Sequence, residues 1–175
     1  MRELLLFRHA KSSWDQTGSL DRDRELAPRG LVAAARMGDL LQQQNVVPDL
    51  VLCSTARRTV QTWQLASAQL ERLPAVTYCE ELYLAAPERI VETVRRRGGA
   101  AQRLLLVGHN PGLYLLARRL AVLGPPAARA RLAEKFPTAG LALIRFAISD
   151  WRELHPASGE LVEFWRPRDL AQPTG

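Results

Sequence analysis

Three short apolar runs in this chain each end in residues able to do chemistry. Leu4 to Phe7 leads into Arg8-His9, Asp49 to Cys53 into Ser54-Thr55-Ala56-Arg57-Arg58, and Arg103 to Val107 into Gly108-His109-Asn110. Two of the three histidines thus stand at the ends of apolar segments, with arginines at two of those ends. Histidine can act as a covalent nucleophile. A phosphoryl group in transfer spreads negative charge over its equatorial oxygens, and fixed cations or N–H donors must meet it. Arginine's planar fork is suited to that task. Together these residues predict phosphoryl transfer without metal or cofactor. The rival chemistries lack their residues: the chain has no HExxH, no carboxylate-rich loop, no P-loop and no GxSxG, and too few histidines for a catalytic zinc.

For the three ends to meet, the runs must be neighbouring strands. Leu4–Phe7, Asp49–Cys53 and Arg103–Val107 are wholly or nearly apolar, as strands buried on both faces are. Between them the apolar period becomes helical: from Pro28 to about Gln44, from about Thr55 to Leu70, and from about Pro87 to Arg97, closed by Gly98-Gly99. Residues 10 to 27, with Asp15, Gly18, Asp21 and Asp23, read as a loop, and Val76–Cys79 as a short strand. A helix is expected from about Leu113 to Val122, and loop or irregular helix over 124–131. Strands are expected over Leu141–Ile148 and Leu161–Trp165, the latter at an edge. Trp151, Phe164 and Trp165 are expected to close that edge. Strands alternating with helices predict an α/β sandwich with a largely parallel sheet, whose sites lie beyond the strands' carboxyl ends.

The 175 residues, 47% hydrophobic and 24% charged, suit one globular domain spanning 1–175 and exclude a disordered chain. No run approaches the length of a membrane span, and the apolar stretch after Met1 is too short for a signal peptide, so a cytoplasmic protein is expected. Cys53 and Cys79 give no disulfide framework. The net charge of +6 rests on 22 arginines and only two lysines, Lys11 and Lys135. Such a balance invites a nucleic-acid reading. The arginines are scattered among acids, however, as in Asp21-Arg22-Asp23-Arg24, rather than striped with aromatics. No nucleic-acid or membrane partner is expected. Arg95-Arg96-Arg97 ends a helix, where cations suit the dipole, and His155 is expected on the surface.

Taken in order, these segments resemble a known family. Leu6-Phe7-Arg8-His9-Ala10-Lys11-Ser12-Ser13-Trp14 resembles the RHG/RHA motif that opens the histidine phosphatase superfamily. Its form, with Asp21-Arg22-Asp23-Arg24 and Leu26-Ala27-Pro28-Arg29-Gly30 following, is similar to the SixA phosphohistidine phosphatase branch. Cys53 to Thr62 and Val107 to Leu113 resemble the second and third blocks. The resemblance covers roughly residues 4–147 and implies a three-layer, phosphoglycerate mutase-like fold. It implies His9 as the nucleophile, Arg8 and Arg58 as the phosphate arginines, and His109 as the second histidine on the phosphoryl group. Lys11, Ser12 and Arg57 are candidate substrate contacts. Asn110 is a candidate helix cap or pocket residue.

Many superfamily members carry a glutamate acid between the second and third blocks. Here that stretch is Cys79-Glu80-Glu81-Leu82-Tyr83, and neither Glu80 nor Glu81 aligns convincingly. A protonated imidazole leaves easily, whereas an alkoxide needs an acid. The expected substrate is therefore phosphohistidine on a protein, such as a histidine phosphotransfer domain. The alternative is a small-molecule phosphomonoesterase. Too little chain lies between the blocks for the lid of a sugar-phosphate mutase. Arg8 and Arg58 are expected to lower the pKa of His9 and keep it neutral.

Overall fold

The computed structural model describes residues 1–14 and 20–170, so the expected loop residues Asp15 and Gly18 lie outside it. Among the described residues seven strands form one sheet in the order β3-β2-β4-β1-β6-β7-β5. They are β1 (Arg2–Arg8), β2 (Leu50–Ser54), β3 (Ala75–Cys79), β4 (Arg103–Gly108), β5 (Ala121–Leu123), β6 (Leu141–Phe146) and β7 (Gly159–Trp165). β3, β2, β4 and β1 are parallel to one another, β6 runs against both β1 and β7, and β5 pairs parallel to β7.

Successive side chains of a strand point to opposite faces, and β1 fills both. Leu4 and Leu6 join the helices α3 (Pro87–Arg97), α4 (Gly112–Leu120) and α5 (Pro126–Glu134), while Leu5 and Phe7 join α1 (Pro28–Gln43) and α2 (Arg57–Ser67). All four are fully buried, each worth about 1.5–3 kcal/mol in area removed from water. Two cores on the two faces make the sandwich three layers deep. The cysteines fall on different faces, Cys53 on the α1–α2 side and Cys79 on the other, both free.

The chain departs from expectation around the sheet's far edge. β7 is not the edge strand, because Ala121–Leu123 leaves the end of α4 and pairs outside it. Residues 126–134 form a regular helix whose only buried residues are Ala128 and Leu132. Trp151 sits away from that edge, beneath the end of α3, with its indole N–H donating to the Ala101 carbonyl at 2.7 Å. Phe164 meets the Phe136 ring edge-on at 5.0 Å. Among the described residues no helix is long and apolar enough to cross a membrane.

Candidate active site

Strand register brings the chemistry together. β1 pairs Arg8 with Gly108 of β4, so His9 follows beside His109. β2 pairs Cys53 with Val107, which sets Ser54 at the same level, and Ser54 pairs with Cys79 of β3. One residue past these pairs, four parallel strands deliver His9, His109, Thr55 and Glu80 along a single edge. The ring centroids of His9 and His109 are 5.4 Å apart, tilted at 53°.

His9 is buried, and its Nδ1 lies 2.7 Å from the Ala10 carbonyl oxygen. A carbonyl can only accept, so Nδ1 carries the proton and Nε2 keeps its lone pair. Burial first, then the charges of Arg58 and Arg8, pushes the His9 pKa down to about 3. The expected direction is correct, but desolvation rather than the arginines leads it. His109 is likewise depressed to about 3, by burial and then by His9 and Arg58. Its Nε2 lies 2.7 Å from the Ser54 hydroxyl, which also accepts the Ala56 N–H at 3.4 Å. Donation of the Ser54 proton to Nε2 leaves Nδ1 as an N–H. Among the described residues that buried nitrogen has no partner, nor do Nε of Arg8 and Nε of Arg58. Three unmatched donors thus belong to residues around one neutral nucleophile.

Each side chain is held from behind. Arg8 donates Nη1 to the Phe136 carbonyl at 2.9 Å, and burial lowers its pKa. Asn110 donates to the same oxygen at 2.9 Å and caps no helix, because α4 starts two residues later with Pro111 in the cap position. The Asn110–Pro111 peptide is cis. Ala139, at φ 57°, gives its N–H to both the Arg8 and His9 carbonyls at 3.1 Å. At the start of α2, Thr59 returns its hydroxyl to the Ser54 carbonyl, and Thr62 accepts the Ala10 N–H at 2.9 Å. Gln61 accepts the Leu26 N–H at 2.8 Å. A side chain on Gly112 would run into the Ala85 carbonyl, and one on Gly30 into that of Lys11. Both glycines let backbone close over the site where no Cβ fits.

Several candidates are engaged elsewhere. Arg57 is exposed and paired with Glu25. Ser12 is buried and accepts from Arg24 at 2.6 Å. The guanidinium of Arg24 stacks 3.4 Å over the exposed Trp14 ring. Lys11 stands on the loop beside His9, where its carbonyl accepts the Ala27 N–H at 2.8 Å. Glu81 turns toward Arg96 and Arg97 at 2.8 Å, which gives that arginine run a structural partner. Glu80 pairs with Arg22 at 2.7 Å and accepts from Thr55 at 2.5 Å. Both carboxyls are held below their ordinary range, Glu80 chiefly by Arg22 and Glu81 first by its own backbone N–H. Neither holds a proton to donate at neutral pH.

Sequence reasoning passed over Asp21 and Tyr83. The Asp21 carboxylate accepts Arg58 Nη2 at 3.0 Å and the Tyr83 hydroxyl at 2.6 Å, and its backbone carbonyl accepts Arg58 Nη1 at 2.6 Å. The Tyr83 ring meets His109 edge-on at 5.6 Å. In the sequence Asp21 stood in the Asp21–Arg24 run of the resemblance and Tyr83 in the stretch between the blocks, but neither carried a role.

Residues 4–83 match the family model of the histidine phosphatase superfamily, branch 1. A putative phosphohistidine phosphatase SixA from Nakamurella multipartitia superposes over 95% of this chain and 96% of its own, with TM-score 0.80 and 30% identity. The chain belongs to the histidine phosphatase superfamily. Another putative SixA, from Agrobacterium tumefaciens, matches 95% of this chain and 98% of its own at TM-score 0.76 and 29% identity. An uncharacterized protein of Mycobacterium tuberculosis, Rv1276c, is 44% identical over 163 residues, 92% of this chain and 99% of that one. As a member of this superfamily the chain is a phosphatase with a SixA-like fold.

Proposed function

We propose that this phosphatase removes the phosphoryl group from phosphohistidine on a protein, such as a histidine phosphotransfer domain, through phospho-His9. The observation that carries the reading is a neutral His9 with its Nε2 lone pair free, 5.4 Å from His109, in a site where buried nitrogens of Arg8, Arg58 and His109 lack partners among the described residues. The lone pair attacks phosphorus as the bond to the leaving nitrogen breaks, and that bond's electron pair returns to the departing imidazole. Water then attacks phospho-His9, the P–Nε2 pair returns to the ring, and the water's proton passes to bulk solvent. A substrate that needs no acid agrees with Glu80 and Glu81 both ionised and paired. Nothing in the two steps asks for a metal. Phosphate release from a phosphorylated histidine phosphotransfer domain, measured beside sugar phosphates and nucleotides, tests the proposal. Preference for the phosphoprotein is expected; turnover of the small esters alone refutes it in favour of a general phosphomonoesterase.

A further inference from the structure

The two-step reaction makes no use of the Asp21 carboxylate, although it lies against Arg58. The turn Asp21–Asp23 is clasped over the start of α2 and onto the Glu80–Tyr83 loop. Arg58 gives one terminal nitrogen to the Asp21 carboxylate and the other to its backbone carbonyl. Arg24 donates to the second carboxylate oxygen at 3.0 Å. The Arg58 side chain is 3% exposed and that of Asp21 is 42% exposed, so the carboxylate is the outer member of the pair. Its partner Tyr83 meets the His109 ring edge-on at 5.6 Å, which ties the carboxylate to the site. A leaving group in line with buried His9 departs away from that ring, toward solvent, where the half-exposed Asp21 carboxylate forms part of the rim. The hydrogen bond from Tyr83, followed by Arg24 and Arg58, holds the Asp21 carboxyl down to about 2, so it carries charge and no proton.

We propose that Asp21 selects the leaving group: its fixed negative charge favours a protonated nitrogen heterocycle and opposes an oxygen that gathers negative charge. The inference rests on the site's being the His9 phosphatase described above. An imidazole protonated on its far nitrogen enters with a positive charge, accepts the P–N electron pair and departs neutral. An ester oxygen enters neutral, accepts the P–O pair and departs as an oxyanion, and the carboxylate has no proton to quench it. Relative to free enzyme and substrate, Asp21 therefore lowers the first barrier and raises the second, a difference that appears in kcat/KM. The same charge offsets one of the two arginines, so inorganic phosphate leaves more readily.

Asp21→Asn keeps an oxygen for Arg58 and Tyr83 while removing the charge. Asp23→Asn removes an equal charge from the same turn at a residue that is not a partner of Arg58. Both variants and the wild type are assayed on phosphoimidazole and on p-nitrophenyl phosphate, with inorganic phosphate as inhibitor. The ratio of kcat/KM, phosphoimidazole over ester, is expected to fall about tenfold in Asp21→Asn, the scale of one nearby charge. In Asp23→Asn it should change by less than about twofold, and phosphate should inhibit Asp21→Asn more strongly. An unchanged ratio in Asp21→Asn, with both substrates falling together, reduces Asp21 to a support for Arg58 and overturns the proposal. So does an equal effect in Asp23→Asn. A wild type that hydrolyses only the ester refutes the phosphohistidine reading itself. A wild type that prefers phosphoimidazole, with a ratio unmoved by Asp21→Asn, refutes the role of Asp21 alone.

Discussion

The hydroxyl of Ser54 and Nε2 of His109 lie 2.7 Å apart, and this contact decides which nitrogen of the second histidine faces the reaction. Ser54 takes the Ala56 N–H on one lone pair, and with its own proton given to Nε2 the ring's proton stands on Nδ1. His109 is thereby kept neutral and still able to donate from Nδ1. The two imidazoles of the site consequently play opposite parts, one offering a lone pair and the other a proton.

Ser54→Ala frees that ring to change tautomer and orientation. The kcat is expected to fall on the order of tenfold to a hundredfold with KM little changed, as when a donor in the transition state is misplaced. Steady-state kinetics check this, and an equal rise in KM with kcat intact would contradict it.

His9→Ala removes the atom that carries the intermediate. Rapid acid-free quench of the wild type with labelled substrate is expected to trap an acid-labile, base-stable phosphoenzyme. In the variant this species is absent and turnover falls by at least about a thousandfold. Full turnover by the variant would end the assignment.

The pH dependence of stability follows from the two buried rings. Each histidine has a folded pKa of about 3 against about 6.5 unfolded. Between those values the unfolded chain binds more protons, so stability falls as the pH drops from about 6.5 toward 3 and is full above that window. Asp21, at about 2 when folded, adds a further loss only below about pH 4. Urea unfolding at about pH 7.5 and 5 should show a smaller acid loss in His109→Asn than in the wild type. Ring-nitrogen NMR shifts of His9 and His109 should remain those of neutral imidazole at about pH 5.

Gly112→Ala tests the backbone beneath the site. The added methyl meets the Ala85 carbonyl at the N-terminal end of α4. Overpacking of this kind costs about 1–3 kcal/mol, readable in the urea midpoint. Because α4 begins three residues after His109, a drop in kcat should accompany it.

The strands that carry the site were legible because their signal is local. Leu4–Phe7 and Arg103–Val107 are apolar on both faces, and polar residues follow at once. Other features depend on contacts distant in sequence. Val122 looks helical in its own window, yet the residues around it leave α4 to pair with β7. The resemblance singles out Arg58 over Arg57, but only packing shows Arg57 sent to Glu25, 32 residues back, while Arg58 is buried. Asn110 fits a helix cap by type, but its amide is taken by a carbonyl 26 residues away. Asp21 read as loop because nothing near it in the chain announces Arg58, 37 residues on.

The Phe136 carbonyl, shared by Arg8 and Asn110, and the Ala139 N–H, shared by Arg8 and His9, have a consequence for timing. His9, Arg8, Arg58 and His109 have all been synthesised once residue 109 is added. The braces that hold the first strand's end come about thirty residues later. During translation the chain therefore carries a complete set of reactive groups that is not yet a catalyst. Activity is expected only once the segment through Gly140 has emerged from the ribosome and docked.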